Sequence, residues 1–198
     1  MPALSIITIG HVHVEDVMPL GERFAPLEQL VLDLHPRADI DAHRAELNRA
    51  VDASTADWLL IVRERETVDA ALAKELLDVI TAEPARAWGF RIRTQPLYAG
   101  QPLRLGGDDA GELRLFHRRH FLRRGELAVQ GTVIRLASPF RAVTFATPAE
   151  HHDYLAKSGV PHSVLRRTLL FLRNAIASRT ADRNTLRYLW IDAGFDKS

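Results

Sequence analysis

One short apolar run constrains this chain more than any other feature. The sequence Trp-Leu-Leu-Ile-Val at 58–62 leads directly into a charged tetrapeptide, Arg63, Glu64, Arg65 and Glu66. A bounded apolar run of this length is typical of a fully buried strand. In open α/β sheets, ligands bind beyond the carboxyl ends of such strands. The tetrapeptide is therefore the first candidate for a functional site.

Strand and helix patterns alternate around that run. Apolar runs at 4–9, 27–34, 58–62 and 87–92 predict four strands. Helical spacing predicts helices at 15–24, at 39–53 and after Thr67, which is the expected N-cap. This order predicts an α/β fold in which helices cover a mostly parallel sheet.

The second half of the chain has a different pattern. Short strands are predicted at 112–116, 127–136 and 142–145. Thr147-Pro148-Ala149-Glu150 is a capping box with proline at the first helical position, and it predicts a helix to about 157. Further helices are predicted from 161 to 178 and from a Thr180 cap to about Gly194. The length predicts a single domain over 1–198.

Composition excludes several classes of protein. The chain has no cysteine, which excludes disulfides, thiolate metal ligands and a cysteine nucleophile. No uncharged apolar run reaches the roughly 18 residues of a membrane span. The first ten residues lack the basic start of a secretory signal. We therefore expect a cytoplasmic protein.

Charge is distributed unevenly along the chain. Residues 1–103 carry 10 basic and 16 acidic residues, whereas residues 104–198 carry 16 basic and 9 acidic ones. A basic half is consistent with contact to phosphates, anionic lipid or nucleic acid, and equally with a solvated surface. Aromatic residues do not alternate with the basic ones, so we expect no nucleic-acid partner. The basic amphipathic helix predicted at 162–179 is consistent with a core helix or a peripheral membrane contact.

Two segments together resemble the family 2 glycosyltransferases, which have the GT-A fold. One is Ala-Asp-Trp-Leu-Leu-Ile-Val at 56–62 with the tetrapeptide after it. The other is Gly-Gly-Asp-Asp at 106–109 followed by Glu-Leu-Arg-Leu-Phe-His-Arg at 112–118, which is similar to members that build lipopolysaccharide cores. The resemblance covers roughly 45–159. It implies a GT-A-like, Rossmann-like domain with a nucleotide-binding-like half (1–103), an acceptor-like half (104–159) and C-terminal helices (160–198).

The resemblance also implies hexosyl transfer from a nucleotide sugar, with Mn²⁺ or Mg²⁺ held by an Asp-x-Asp-Glu tetrapeptide. Here Arg63 and Arg65 stand at both aspartate positions, and a guanidinium group has no lone pair for a metal. The family's later His-Glu pair is replaced by Gln130 and Gly131. We therefore expect no metal cofactor.

Three interpretations of the tetrapeptide remain open. In the first, the site is inactive, and the arginines pair with Glu64, Glu66 or other surface acids. In the second, Arg63 and Arg65 replace the metal and bind the diphosphate directly. In the third, a bulge brings Glu64 and Glu66 to one face, where they hold the cation.

The remaining candidate residues depend on the resemblance. Asp108 and Asp109 are paired carboxylates that could supply a general base, or they are polar residues of a glycine-rich turn. Asp33 corresponds to the family's base- or ribose-binding aspartate, or begins a turn. Arg114 and Gln130 complete the expected substrate- or nucleotide-binding set.

The loss of both the metal-binding tetrapeptide and the His-Glu pair favours a degenerate, inactive relative that still binds a nucleotide, a sugar or a partner protein. The alternative is an active, metal-independent glycosyltransferase that uses a nucleotide sugar in cell-envelope glycan synthesis, at the inner face of the membrane.

Overall fold

The structure is a computed structural model that describes residues 3–35, 39–103, 110–145, 147–151, 153, 171 and 182–192. Contacts divide the chain into two compact units, one of Met1–Thr94 with Asp109–Arg141 and one of Gln95–Asp108 with Ala142–Ser198. The strands are β1 (Leu4–Ile9), β2 (Leu27–Leu32), β3 (Trp58–Arg63), β4 (Glu66–Thr67), β5 (Gly89–Ile92), β6 (Thr94–Tyr98), β7 (Gln101–Pro102), β8 (Glu112–His117), β9 (Val133–Arg135) and β10 (Phe140–Phe145). The helices are α1 (Val14–Gly21), α2 (Arg44–Ala53), α3 (Ala70–Ile80) and α4, which is described over Arg183–Asp192.

A six-stranded sheet organises the first unit, with the order β2-β1-β3-β8-β5-β9. β1 is parallel to β2 and β3, and β5 is parallel to β9. Only β8 runs antiparallel to its neighbours in this sheet. The predicted α/β fold with a mostly parallel sheet is therefore confirmed, and the four strands predicted from the first half lie in that sheet.

Strands β1 and β3 are buried on both faces, which explains the apolar run of β3 and the mostly apolar sequence of β1. Because side chains alternate along a strand, each strand supplies two cores. Leu60 and Val62 pack into one core with α1 and α3 residues, and Leu59 and Ile61 pack into the other with Leu47 of α2.

Three boundaries differ from the prediction. Helix α3 begins after Asp69, whose Oδ1 accepts a 2.9 Å hydrogen bond from Leu72 N, because Thr67 belongs to strand β4. Helix α2 begins at Arg44 rather than near 39. The strand predicted over 127–136 is reduced to β9, because an antiparallel bridge between Phe121 and Val129 closes a loop there.

The second unit contains a hairpin that the sequence did not indicate. β6 and β7 pair through Tyr98 and Gln101, and Ala99 and Gly100 between them have φ values of 48° and 74°. Two successive positive φ angles characterise the type I′ turn that fits the twist of a two-residue hairpin. Tyr98, Leu103 and Ile191 form the core of this unit.

Helix caps in the second unit agree in part with the prediction. Thr147 Oγ1 accepts a 3.2 Å hydrogen bond from Glu150 N, so the predicted cap at Thr147 is confirmed. Helix α4 is capped by Asp182, whose Oδ2 accepts from Thr185 N at 3.0 Å. Thr180, Gly194 and nearly all of the helix predicted over 161–178 lie outside the described residues. Within the described part of the chain, no helix is long and apolar enough to cross a membrane.

Candidate functional site

The carboxyl ends of the parallel strands form one edge of the large sheet. Strands β3 and β5 end there at Arg63 and Ile92, and the antiparallel strand β8 begins there at Glu112. An open cleft of about 230 Å³ lies at this edge. Its lining is mostly charged: Asp39, Ile40, Asp41, Arg63, Arg91, Glu112, Leu113, Glu126 and Leu127.

The tetrapeptide after β3 forms a tight reversal. Glu64 N donates to Ile9 O at 2.8 Å, and Arg65 takes a positive φ of 65°. The chain therefore turns back, and Glu66 Oε2 accepts a 2.8 Å hydrogen bond from Arg63 N. This reversal places the Glu66 carboxylate inside the protein, where the residue is only 4% exposed.

Arg114 binds the buried carboxylate of Glu66 from the neighbouring strand. Its Nη2 lies 2.9 Å from Glu66 Oε1, and its Nη1 lies 3.2 Å from Oε2. Thr94 Oγ1 also donates to Oε1, at 3.1 Å. Together with Arg63 N, these four donors satisfy both carboxylate oxygens, which is what a buried charge requires.

Glu112 connects the buried pair to the cleft. Arg63 Nη2 donates to Glu112 Oε2 at 3.4 Å. Arg114 Nε lies 3.0 Å from the same oxygen as an ion pair, without the angle of a hydrogen bond. Arg91, which also lines the cleft, donates from Nη1 to Gly111 O at 3.0 Å. Both arginines of the cleft are thus already engaged by neighbouring acceptors.

The other members of the tetrapeptide lie away from the cleft lining. Glu64 Oε2 accepts a hydrogen bond from His11 N at 3.3 Å. Arg65 is exposed at the tip of the reversal. The structure therefore brings Arg63, Glu66 and Arg114 together, and it separates them from Arg65.

The predicted residues outside the tetrapeptide are dispersed. Asp33 is exposed and lines a different groove, of about 420 Å³, between β2 and α2. Gln130 is exposed near the start of β5, at the amino edge of the sheet, and its N–H donates to His120 O at 2.7 Å. Gln130 therefore lies in the loop before β9 and not within the strand predicted over 127–136. Asp108 and Asp109 lie outside the described residues.

The divalent metal implied by the resemblance does not fit the residues at this edge. Glu66 is the buried acid of the tetrapeptide, and its oxygens accept hydrogen bonds from Arg114, Thr94 and Arg63 N. A dication beside two guanidinium groups would also be repelled. Among the described residues, no group of three histidines or acids is arranged to hold a metal ion.

Sequence reasoning missed Arg91 and Glu112 as cleft residues. Glu112 begins the Glu-Leu-Arg-Leu-Phe-His-Arg segment at 112–118. Its role depends on β8 running antiparallel, which brings the first residue of β8 to the carboxyl edge of its neighbours. Arg91 lies at a β-bulge between Phe90 and Arg91, an irregularity that periodicity does not reveal.

Comparisons with known proteins found similarity in structure and none in sequence. No protein-family model matches the chain, and no curated protein matches it. The chain is similar to the crystal structure of S. aureus TarS 1-349, with a TM-score of 0.42 and 10% sequence identity. The superposition covers 96% of this chain and 78% of that chain.

Proposed function

We propose that this protein is a degenerate relative of the family 2 glycosyltransferases that has lost metal-dependent transfer and acts by binding a sugar or a partner protein. The proposal rests on the sequence resemblance for the family and on the Glu66–Arg114 pair for the loss of chemistry. In this arrangement a guanidinium group occupies the space beside the one buried acid of the tetrapeptide. The pair therefore supplies structural support where the family would hold a metal.

The volume and the charge of the cleft support the same proposal. Its volume of about 230 Å³ is below the ~300–1,000 Å³ that is usual for small-molecule sites. The acids in its lining, Asp39, Asp41, Glu112 and Glu126, outnumber Arg63 and Arg91. An acid-rich lining is unfavourable for the negatively charged diphosphate of a nucleotide sugar.

The alternative is a metal-independent transferase that binds the diphosphate through arginine. One observation favours it, namely that Arg63 and Arg91 both line the cleft at the carboxyl edge of the sheet. Under this alternative, the ion pair between Arg63 and Glu112 at 3.4 Å opens when the ligand arrives. Asp108 or Asp109 would then supply the general base.

A thermal-shift screen of nucleoside diphosphates and nucleotide sugars, with and without Mn²⁺, distinguishes the inactive binding protein from the metal-independent transferase. A ligand at 100 times its dissociation constant adds about 2.7 kcal/mol to the free energy of unfolding. We expect no change in Tm with any nucleotide and no hexosyl transfer. A metal-free shift that is lost in Arg63→Gln, and kept in the exposed control Arg86→Gln, would support the alternative instead.

The expected membrane contact also remains a proposal. The helix predicted at 162–179 lies almost wholly outside the described residues, so its contact with the inner face of a membrane rests on the sequence alone. A sedimentation assay with anionic vesicles and a variant of Arg166 and Arg167 tests that contact.

A further inference from the structure

A second charged surface lies at the amino edge of the large sheet, opposite the cleft. Residues 117–125 contain four arginines and two histidines and no acid. Strand β8 ends there at His117, and a 3₁₀ turn, Arg118–His120, follows it. Because β8 is antiparallel to β3 and β5, its last residue lies beside their first residues.

Backbone hydrogen bonds fix the loop that carries these arginines. Phe121 and Val129 form an antiparallel bridge, and Leu122 N donates to Ala128 O at 3.0 Å. Arg118 N donates to Asp57 O at 2.7 Å, which ties the 3₁₀ turn to the segment before β3. A loop fixed in this way presents its side chains without a large ordering cost on binding.

A pocket of about 370 Å³ lies between this loop and the end of α2. Its apolar residues are Val51 and Phe121, which are both buried. Its charged residues are three arginines and one acid: Arg118, Arg119, Arg123 and Asp52. The volume is several times the ~30 Å³ that one water occupies in the liquid, which leaves room for a phosphate or diphosphate group.

Two of the three arginines are held by the end of α2. Arg118 Nη1 donates to Ser54 O. Arg123 Nη1 donates to Asn48 O at 3.2 Å, and its Nη2 lies 2.7 Å from Asp52 Oδ1. These contacts alone are the ordinary ones of basic residues near a helix C-terminus. They also fix the direction of both guanidinium groups.

Arg119 is not explained by such a structural role. Its side chain is 76% exposed, and its Nε lies 3.8 Å from Asp57 Oδ1, which is a long and solvent-screened contact. The same carboxylate is shared with Arg118 Nη2 at 3.7 Å. Asp57 and Glu28 face Arg118 from outside the pocket lining. The lining itself carries three arginines against Asp52 alone, with Arg119 at its exposed side.

We propose that this pocket binds a phosphate group, with Arg119 as the principal ligand and with Arg118 and Arg123 held in place beside it. Planar guanidinium groups bind phosphate oxygens through paired hydrogen bonds, and three around one pocket suit an anion of two or more charges. The phosphate belongs either to a soluble phosphate ester or to an anionic lipid headgroup. Leu122, between Phe121 and Arg123, is an exposed apolar side chain that can contact the acyl region beside a lipid headgroup, which is consistent with the lipid source. This inference is independent of the proposed function.

Calorimetric titration of the full chain with inorganic pyrophosphate tests the soluble source. Sedimentation with vesicles of phosphatidylglycerol and phosphatidylcholine tests the lipid source. The variant is Arg119→Gln, and the matched control is Arg49→Gln, which removes an equal charge from an arginine that is 77% exposed. We expect Arg119→Gln to weaken binding by roughly tenfold or more, the scale of one charged hydrogen bond, and Arg49→Gln by less than about twofold.

Each outcome decides the proposal. A loss in Arg119→Gln alone supports it, and the arm that shows the loss identifies the source of the phosphate. No binding in either arm overturns it, and so does an equal loss in both variants, which would indicate nonspecific charge attraction. If Arg63→Gln loses anion binding and Arg119→Gln keeps it, the anion binds in the carboxyl-edge cleft, and the proposal is also overturned. If Arg119→Gln fails to fold, Arg119→Lys keeps the charge and must weaken binding through the lost paired hydrogen bonds.

Discussion

Arg114 and Glu66 form a bidentate ion pair whose side chains are only 3% and 5% exposed. The pair joins the middle of β8 to the reversal that follows β3. Phe140 lies under the guanidinium group, with its ring centroid 5.6 Å from Arg114 Cζ. Removal of either partner would leave the other charge buried without compensation, so the pair is expected to be a sensitive point of the fold.

Substitution of Arg114 tests this expectation. Arg114→Met removes the charge and keeps much of the side-chain volume, which leaves the Glu66 carboxylate buried. We expect a loss of about 3–5 kcal/mol in the free energy of unfolding, as for other broken buried pairs. Urea denaturation measures the change.

A double-mutant cycle supplies the control. Arg114→Met combined with Glu66→Leu removes both charges, and the double variant should lose less stability than the two single variants summed. Lys74→Ala breaks an exposed pair in which Lys74 Nζ lies 2.7 Å from Asp78 Oδ2, and it should cost less than about 1 kcal/mol. Strict additivity at Arg114 and Glu66 would contradict the structural role of the pair.

The sequence predicted the sheet well because β1 and β3 are buried on both faces, and predominantly apolar runs are typical of such strands. It did not predict the partner of Glu66. The sequence places Arg114 in the expected substrate- or nucleotide-binding set, whereas in the structure it pairs with Glu66. Contact between these residues, 48 positions apart, depends on β8 pairing antiparallel with β3. A single sequence contains no periodic signal for that pairing.

Short elements were missed for a local reason. β4 and β7 have two residues each, which is too short for any pattern of alternation. Asp69 rather than Thr67 caps α3 because Thr67 Oγ1 instead donates to Arg141 O at 3.2 Å. Both residues are good caps by type, so only the tertiary contact decides between them.

Gly111 is expected to be irreplaceable at the start of β8. Its φ is +70°, and a Cβ there would lie 2.8–2.9 Å from the backbone of Ile92 and Arg93. Because backbone atoms cannot move aside as a flexible side chain does, Gly111→Ala should cost more than about 2 kcal/mol. Gly125→Ala is the matched control, since its φ is +77° and no atom lies within 4 Å of the added carbon. Chemical denaturation should show a clearly larger loss at Gly111; equal losses would mean that the close approach to Ile92 is not present.

Asp69 should contribute to the acid sensitivity of the first unit. Burial alone would raise the pKa of Asp69, but hydrogen bonds from Leu72 N and from Arg141, together with the charge of Arg141, lower it below its ordinary value of 3.8. The folded state therefore binds the proton less readily than the unfolded chain. The contribution of Asp69 is complete above pH 3.8 and is lost as the pH falls below that value through the folded-state pKa.

Asp69→Asn isolates this effect, because asparagine still caps a helix but carries no charge. Urea unfolding of both proteins between neutral and strongly acidic pH should show a gap in stability at neutral pH that narrows as the pH falls below 3.8. Asp78→Asn removes an exposed carboxylate of the same helix and serves as the charge control. A gap that stays constant across the whole acid range would contradict the prediction.

The last prediction concerns the metal of the family that the chain resembles. Calorimetric titration with Mn²⁺ or Mg²⁺ should show no tight binding at residues 63–66. Glu66 is saturated by Arg114, Thr94 and Arg63 N, and Glu64 Oε2 accepts from His11 N, so a cation would have to displace hydrogen bonds at both acids. The repulsion from Arg63 and Arg114 adds to that cost. Glu64→Gln is the decisive variant because it leaves the buried pair intact. Micromolar Mn²⁺ affinity in the wild type that disappears in Glu64→Gln would show that the two acids share a cation after all. The bulged interpretation of the tetrapeptide would then replace the inactive one.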